Sequence, residues 1–112
     1  MKKILFSLAV TAAIMVVAGA ARAGEVHEVV TLKFEFVPAE ITIKAGDTVR
    51  WVNKERRQYH NVWFRDLGEK PVGEFFPGET YEKTFDTPGD YPYVCEPHEK
   101  DHDMTGIVHV VE

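Results

Sequence analysis

Hydrophobic residues in this chain alternate in short runs and do not recur at the three-to-four spacing of a helix. From Val26 to Val37, Val30, Leu32, Phe34 and Phe36 fall on every second position, the spacing of a strand with one buried face, and Pro38 ends the run. Ile41 and Ile43 predict a short second strand, closed by the turn Ala45-Gly46-Asp47. Thr48–Asn53 follows, with Val49 and Trp51 on one face. Lys54–Arg57 reads as a polar connection. Tyr59–Phe64 reads as the next strand and Asp66–Pro71 as a loop with room for a helical turn over Leu67–Val72. Val72–Phe76 is a weak strand, and Pro77-Gly78 turns into a strand over Thr80–Phe85. Thr87–Asp90 is a turn. Tyr91–Val94 is a strand whose Pro92 suits an edge or a bulge, and Ile107–Val111 closes the chain. About eight short strands punctuated by Gly, Pro, Asp and Asn predict an all-β fold, an antiparallel β-sandwich in a single domain over residues 24–112.

The first 23 residues have another character. Lys2 and Lys3 precede an uncharged apolar run from Ile4 to Ala20, and Ala21-Arg22-Ala23 is a small-x-small cleavage pattern. That is a secretory signal peptide, with Gly24 as the expected mature start, and it predicts an exported, periplasmic protein. Removing Lys2, Lys3 and Arg22 from the 13 basic residues leaves ten against 18 acidic, a net charge near −8. This excludes nucleic acid and argues against stable membrane association, and it favours a basic protein or a cation as partner. With one cysteine, the chain can form no internal disulfide. A thiol exported to an oxidising compartment is better explained as a metal ligand than as a free group.

That cysteine sits in the stretch richest in chemistry, Tyr91 to Gly106. Cys95, His98, His102 and Met104 lie within ten residues, and Met104 is the only methionine outside the leader. Thiolate, imidazole and thioether together suit copper, and a His/His/Cys trigonal set with a weak axial Met is the arrangement that transfers electrons. The loop supplies Cys95, His98 and Met104; His60 is the best candidate for the second imidazole. His102 is an alternative ligand, but its neighbours Asp101 and Asp103 would hold it out in water as a partly protonated group. Pro97 stiffens the short step from Cys95 to His98. His27 and His109 read as strand-surface residues without a function.

From about Lys33 to Glu112 the chain resembles a cupredoxin, a type 1 copper protein of the amicyanin, pseudoazurin and plastocyanin group. The resemblance is carried by Phe36–Asn53, by His60-Asn-Val, by Pro88–His98 and by Met104-Thr-Gly-Ile-Val108, and amicyanin is the nearest pattern. It implies a Greek-key β-sandwich with one copper ion at one end, held by His60, Cys95, His98 and Met104. It implies that Asn61 ties the two ligand-bearing segments by hydrogen bonds. Two departures stand out. The gap from His98 to Met104 is one residue longer than usual and includes His102. Glu96, Glu99, Lys100, Asp101 and Asp103 crowd the place where the family carries an apolar docking patch, and Glu96 replaces the usual Ser or Thr after the cysteine.

The function that follows is a monomeric periplasmic carrier of single electrons. It would cycle one copper between Cu(II) and Cu(I) and exchange electrons at His98 with redox proteins such as a basic c-type cytochrome. Glu96, Glu99, Asp101 and Asp103 would steer that docking. No acid–base pair suggests an enzyme. The alternatives are a copper-resistance or copper-delivery protein on the same fold, which the acidic loop and His102 favour, and a metal-free interaction module.

Overall fold

The computed structural model describes residues 24–112. The leader expected over residues 1–23, with its cleavage site, lies outside the described residues. Among the described residues there are seven strands: β1 (Val26–Leu32), β2 (Glu35–Val37), β3 (Glu40–Lys44), β4 (Asp47–Asn53), β5 (Thr80–Phe85), β6 (Gly89–Val94) and β7 (Thr105–Val111). They form a sandwich of two sheets, ordered β2-β1-β4-β5 and β3-β7-β6, around one core. The sheets are mixed, not purely antiparallel: β1 runs parallel to β4 and β3 parallel to β7. The chain leaves the first sheet after β2, lays down β3 in the second and returns as β4, and such crossings bring strands of like direction side by side.

The long run expected over Val26–Val37 is a hairpin. Lys33 and Phe34 form a two-residue turn between the paired residues Leu32 and Glu35, with φ of 56° and 61°. Both central residues are left-handed, as in a type I′ hairpin turn, where Asn-Gly is the usual choice. A side-chain-bearing residue held there costs about 1 kcal/mol. The register of β1 also differs from the expectation. Val29 and Thr31 point inward, whereas Leu32 is 38% exposed. The neighbouring positions Val29 and Val30 are both apolar, so hydrophobicity alone left two registers open, and a slip of one residue turns every side chain over. Pairing with β4 decides it, setting Val29 beside Trp51 and Thr31 beside Asn53. The buried Thr31 hydroxyl donates to the Val52 carbonyl at 3.4 Å.

In β4 the alternation holds as expected, with Val49 and Trp51 buried. Trp51 meets Tyr93 at 5.3 Å between ring centroids and Phe64 at 6.0 Å, both edge-on, a geometry that aromatic rings favour. Tyr93 also packs on Gly106, its partner across β6 and β7, where any added β-carbon would land on the tyrosine ring. Pro92 lies in β6, which is an edge strand, as its missing N–H requires.

Further expectations are corrected. Tyr59–Phe64 is not a strand, nor is Val72–Phe76. His60 and Phe75 form one isolated bridge, and Trp63 and Val94 another. Each pair of residues exchanges both backbone hydrogen bonds, so the extended segment 60–63 is held at its two ends without a continuous ladder. The helical turn comes earlier than Leu67–Val72, as a 3-10 turn over Arg65–Leu67 that ends in left-handed Gly68. His27 is half-buried, with its Nε2 2.9 Å from Asp47 Oδ2. His109 lies on the outer face of its sheet between Asp90 on β6, at 2.7 Å, and Glu40 on β3, at 3.0 Å.

Candidate metal centre

The loop between β6 and β7 is pinned at its neck, where the Cys95 amide donates to the Met104 carbonyl at 3.0 Å. Cys95 keeps extended backbone at the end of β6. Pro97, with its fixed φ, then starts a 3-10 turn over Glu96–His98, and the His98 amide closes it on the Cys95 carbonyl at 3.0 Å. A single helical turn, Glu99–His102, follows. Left-handed Asp103 (φ 52°) stops it, its amide returning to the Glu99 carbonyl, a helix-ending pattern that Asp tolerates. The helical turn accommodates the longer His98–Met104 spacing and swings His102 back across the loop.

This places Cys95, His98 and His60 together. Cys95 Sγ lies 3.3 Å from His98 Nδ1 and 3.7 Å from His60 Nδ1, and the three donor atoms fall within 4.8 Å of one another. Cys95 and His60 are buried and His98 is half-buried. Met104 is buried against the same core cluster as Cys95. His102 is not brought into the trio. It is exposed, as expected, but it is not simply solvated: its ring stacks on Phe34, with centroids 3.7 Å apart and planes 7° from parallel.

Two side chains brace the trio. The Asn61 side-chain carbonyl accepts the Glu96 amide at 2.8 Å, and the Asn61 backbone amide points at Cys95 Sγ at 3.4 Å. Glu96 joins this tie through its backbone, so the replacement of Ser or Thr at that position leaves the bond intact. The second brace, Glu55, lies in the Lys54–Arg57 stretch, which its sequence marks only as a polar connection. Its Oε2 lies 2.9 Å from His60 Nε2 and accepts the Phe34 amide at 3.1 Å. A carboxylate at Nε2 keeps the imidazole proton there and leaves the Nδ1 lone pair facing the thiol. Asn53 shapes the turn that presents Glu55. Its amide donates to the Gln58 and Phe75 carbonyls and its carbonyl accepts the Glu55 amide. A carboxylate five residues before a histidine, after an Asn able to organise a turn, is the only signal sequence carried for this arrangement.

The protonation states suit a metal. Burial pushes the His60 imidazole down, against the opposing Glu55 bond, and burial with neighbouring His60 and His102 pushes His98 down, so both rings favour the neutral, ligating form. Burial alone would raise the Glu55 carboxyl, but the Phe34 amide and His60 outweigh it and hold it below its ordinary value. Burial pushes the Cys95 thiol up to about 11, so without a metal it stays protonated near neutral pH. Two neutral imidazoles and one thiol that a metal must deprotonate are a set that copper fits.

The surroundings of His98 are less charged than the sequence implied. Tyr59 stands 5.7 Å from the His98 ring and Phe76 stands 5.8 Å from Tyr59; they are 37% and 51% exposed. Both come from segments distant in sequence from the acidic loop. Among the four loop carboxylates expected to steer docking, Glu99 is engaged in a two-pronged pair with Arg65, at 2.7 and 3.2 Å.

Residues 24–111 match the family of copper binding proteins described as plastocyanin/azurin. The chain is 44% identical over 75 residues to plastocyanin of Scenedesmus fuscus, covering 57% of this chain and 74% of that one. It is 43% identical over 70 residues to amicyanin of Paracoccus versutus, covering 59% of this chain but only 52% of the relative. The crystal structure of that amicyanin superimposes with a TM-score of 0.66 at 38% identity, over 75% of this chain and 79% of its own. A copper-containing nitrite reductase from Thermus scotoductus matches with a TM-score of 0.67 at 30% identity, over 77% of this chain and 22% of the reductase.

Proposed function

The chain belongs to the plastocyanin/azurin family of copper-binding proteins, and on that premise we propose that it is a periplasmic carrier of single electrons in which His60, Cys95, His98 and Met104 hold one copper ion. The observation that carries this reading is the convergence of His60, Cys95 and His98 donor atoms within 4.8 Å, with the far nitrogen of His60 already held by Glu55. The bound ion would supply a one-electron Cu(II)/Cu(I) couple. The protein's part is to keep the ligands still, because any rearrangement between the two states slows electron transfer. Cys95 is anchored at the loop neck, His60 is braced from behind by Glu55, and Asn61 links the two ligand segments. Core packing around Cys95 and Met104 keeps water out.

His98 is the exchange point in this reading, since its ring is half-buried beside exposed Tyr59 and Phe76. A redox protein with an apolar contact face fits that surface, and a basic c-type cytochrome adds attraction to Glu96, Asp101 and Asp103. In this reading the protein acts as a carrier and not as an enzyme.

Adding Cu(II) to the purified protein tests the reading. One equivalent should produce an intense visible band from the Cys95 thiolate–copper bond, lost in Cys95→Ser. A protein that stays colourless and binds no copper would overturn it. Incubating the loaded protein with a chelator separates a carrier from a delivery protein: retention for hours supports the carrier.

A further inference from the structure

Phe34 touches both halves of the metal centre. Its ring stacks on His102 and meets the rings of His98 and His60 edge-on, at centroid distances of 4.9 and 6.1 Å. Its backbone amide holds the Glu55 carboxylate that braces His60. Lys33 and Phe34 adopt this position in a left-handed turn that glycine would occupy without strain. A large ring retained on strained backbone points to a role for the ring itself. On the other side of the loop the Arg65–Glu99 pair grips the same helical turn. His102 therefore has a partner within the fold although no ligand role requires it.

Resting on the copper reading above, we propose that Phe34 is a positioning residue that closes the metal site. Its ring clamps His102 across the mouth beside His98, so that the β1–β2 turn governs how fast copper leaves. The His102 ring in turn lies 5.9 Å from the His98 ring, so Phe34 and His102 close over His98 together. The turn contributes no ligand. It holds the loop that carries His98 against the segment that carries His60.

Phe34→Gly isolates the ring. It relaxes the turn and keeps the amide that holds Glu55, which offsets part of the cost of losing a half-buried ring, so the metal-free variant should stay folded with a modestly lower thermal midpoint. Copper(II) loss to EDTA should nevertheless quicken roughly tenfold, as expected when an aromatic stack at a closing contact is removed. Phe34→Tyr should restore the parent rate. In a His102→Ala background, Phe34→Gly should add less than about twofold, because the two residues act as one contact. In the metal-free protein, the His98 and Asp103 amides, both hydrogen-bonded within the loop, should exchange with solvent several-fold faster in Phe34→Gly. Copper loss within about twofold of the parent, full additivity with His102→Ala, or unaltered amide exchange would each overturn the proposal. If the parent protein takes up no copper, the carrier reading fails by itself, and the metal-free exchange measurement still decides the role of Phe34.

Discussion

Glu55 and the buried His60 form a pair whose geometry dictates which nitrogen of the imidazole is free. The carboxylate oxygen sits 2.9 Å from Nε2, on the opposite side of the ring from the Cys95 thiol. Replacing Glu55 by Ala removes the group that orients the ring and keeps its proton away from the ligand side. Partners of this kind are commonly worth ten- to a hundredfold in metal affinity, and a loss of roughly that size is expected in competition against a calibrated copper chelator. Glu55→Gln retains an acceptor and should recover part of it.

Asn61 predicts a change that needs no metal. Its side chain accepts the Glu96 amide and donates to the Val72 carbonyl at 3.3 Å, joining three segments in a buried position. Asn61→Ala leaves the Glu96 amide and the Val72 carbonyl without these partners. A loss of about 1–3 kcal/mol in stability is expected by urea denaturation of the metal-free protein.

At Gly106 the constraint is steric. A β-carbon there meets the Tyr93 ring, which is 2% exposed and packed against Trp51 and Phe36, so it has nowhere to retreat. Gly106→Ala should cost about 1–3 kcal/mol by overpacking. Because Tyr93 lies two residues before Cys95, the loaded protein should also show a shifted visible band.

His109 should give stability a dependence on pH. Its bonds to Asp90 and Glu40 raise the imidazole above its ordinary value, so the folded state holds the proton more tightly than the unfolded chain does. The resulting stabilisation is complete below the unfolded pKa of about 6.5 and fades as pH rises through the folded value. His60 and His98 are shifted the opposite way, and their contribution is lost as pH falls. The informative quantity is therefore the difference between parent and His109→Asn in denaturation midpoint. It should be largest near pH 5 and shrink toward pH 8; a difference that is constant with pH would remove the argument.

Much of this molecule was legible from the sequence where two independent signals coincided. The strand at Thr48–Asn53 had both alternation and a bounding turn, and it formed with Val49 and Trp51 inward. Cys95 and His98 were three residues apart, so their approach needed only a tight turn. What was not legible depended on partners distant in the chain. The β1 register is set by β4, since Val29 and Val30 are equally apolar. Segment 60–63 has strand-like composition but finds one partner at each end, not a ladder. Glu55 was hidden among Lys54, Arg56 and Arg57 because a charged run gives no hint which member turns inward. Phe34 looked like one more core position, and only the turn it occupies directs it to the loop.

The two isolated bridges have a mechanical consequence. Residues 60–63 behave as a short beam on two supports, one at Phe75 and one at Val94, with Asn61 bearing load inside the span. A strand in a ladder spreads a defect over many rungs, but a beam on two supports tilts as a body when either support gives way. Weakening the Phe75 end should therefore rotate His60 away from Cys95 even though the other support, one residue before that cysteine, stays in place.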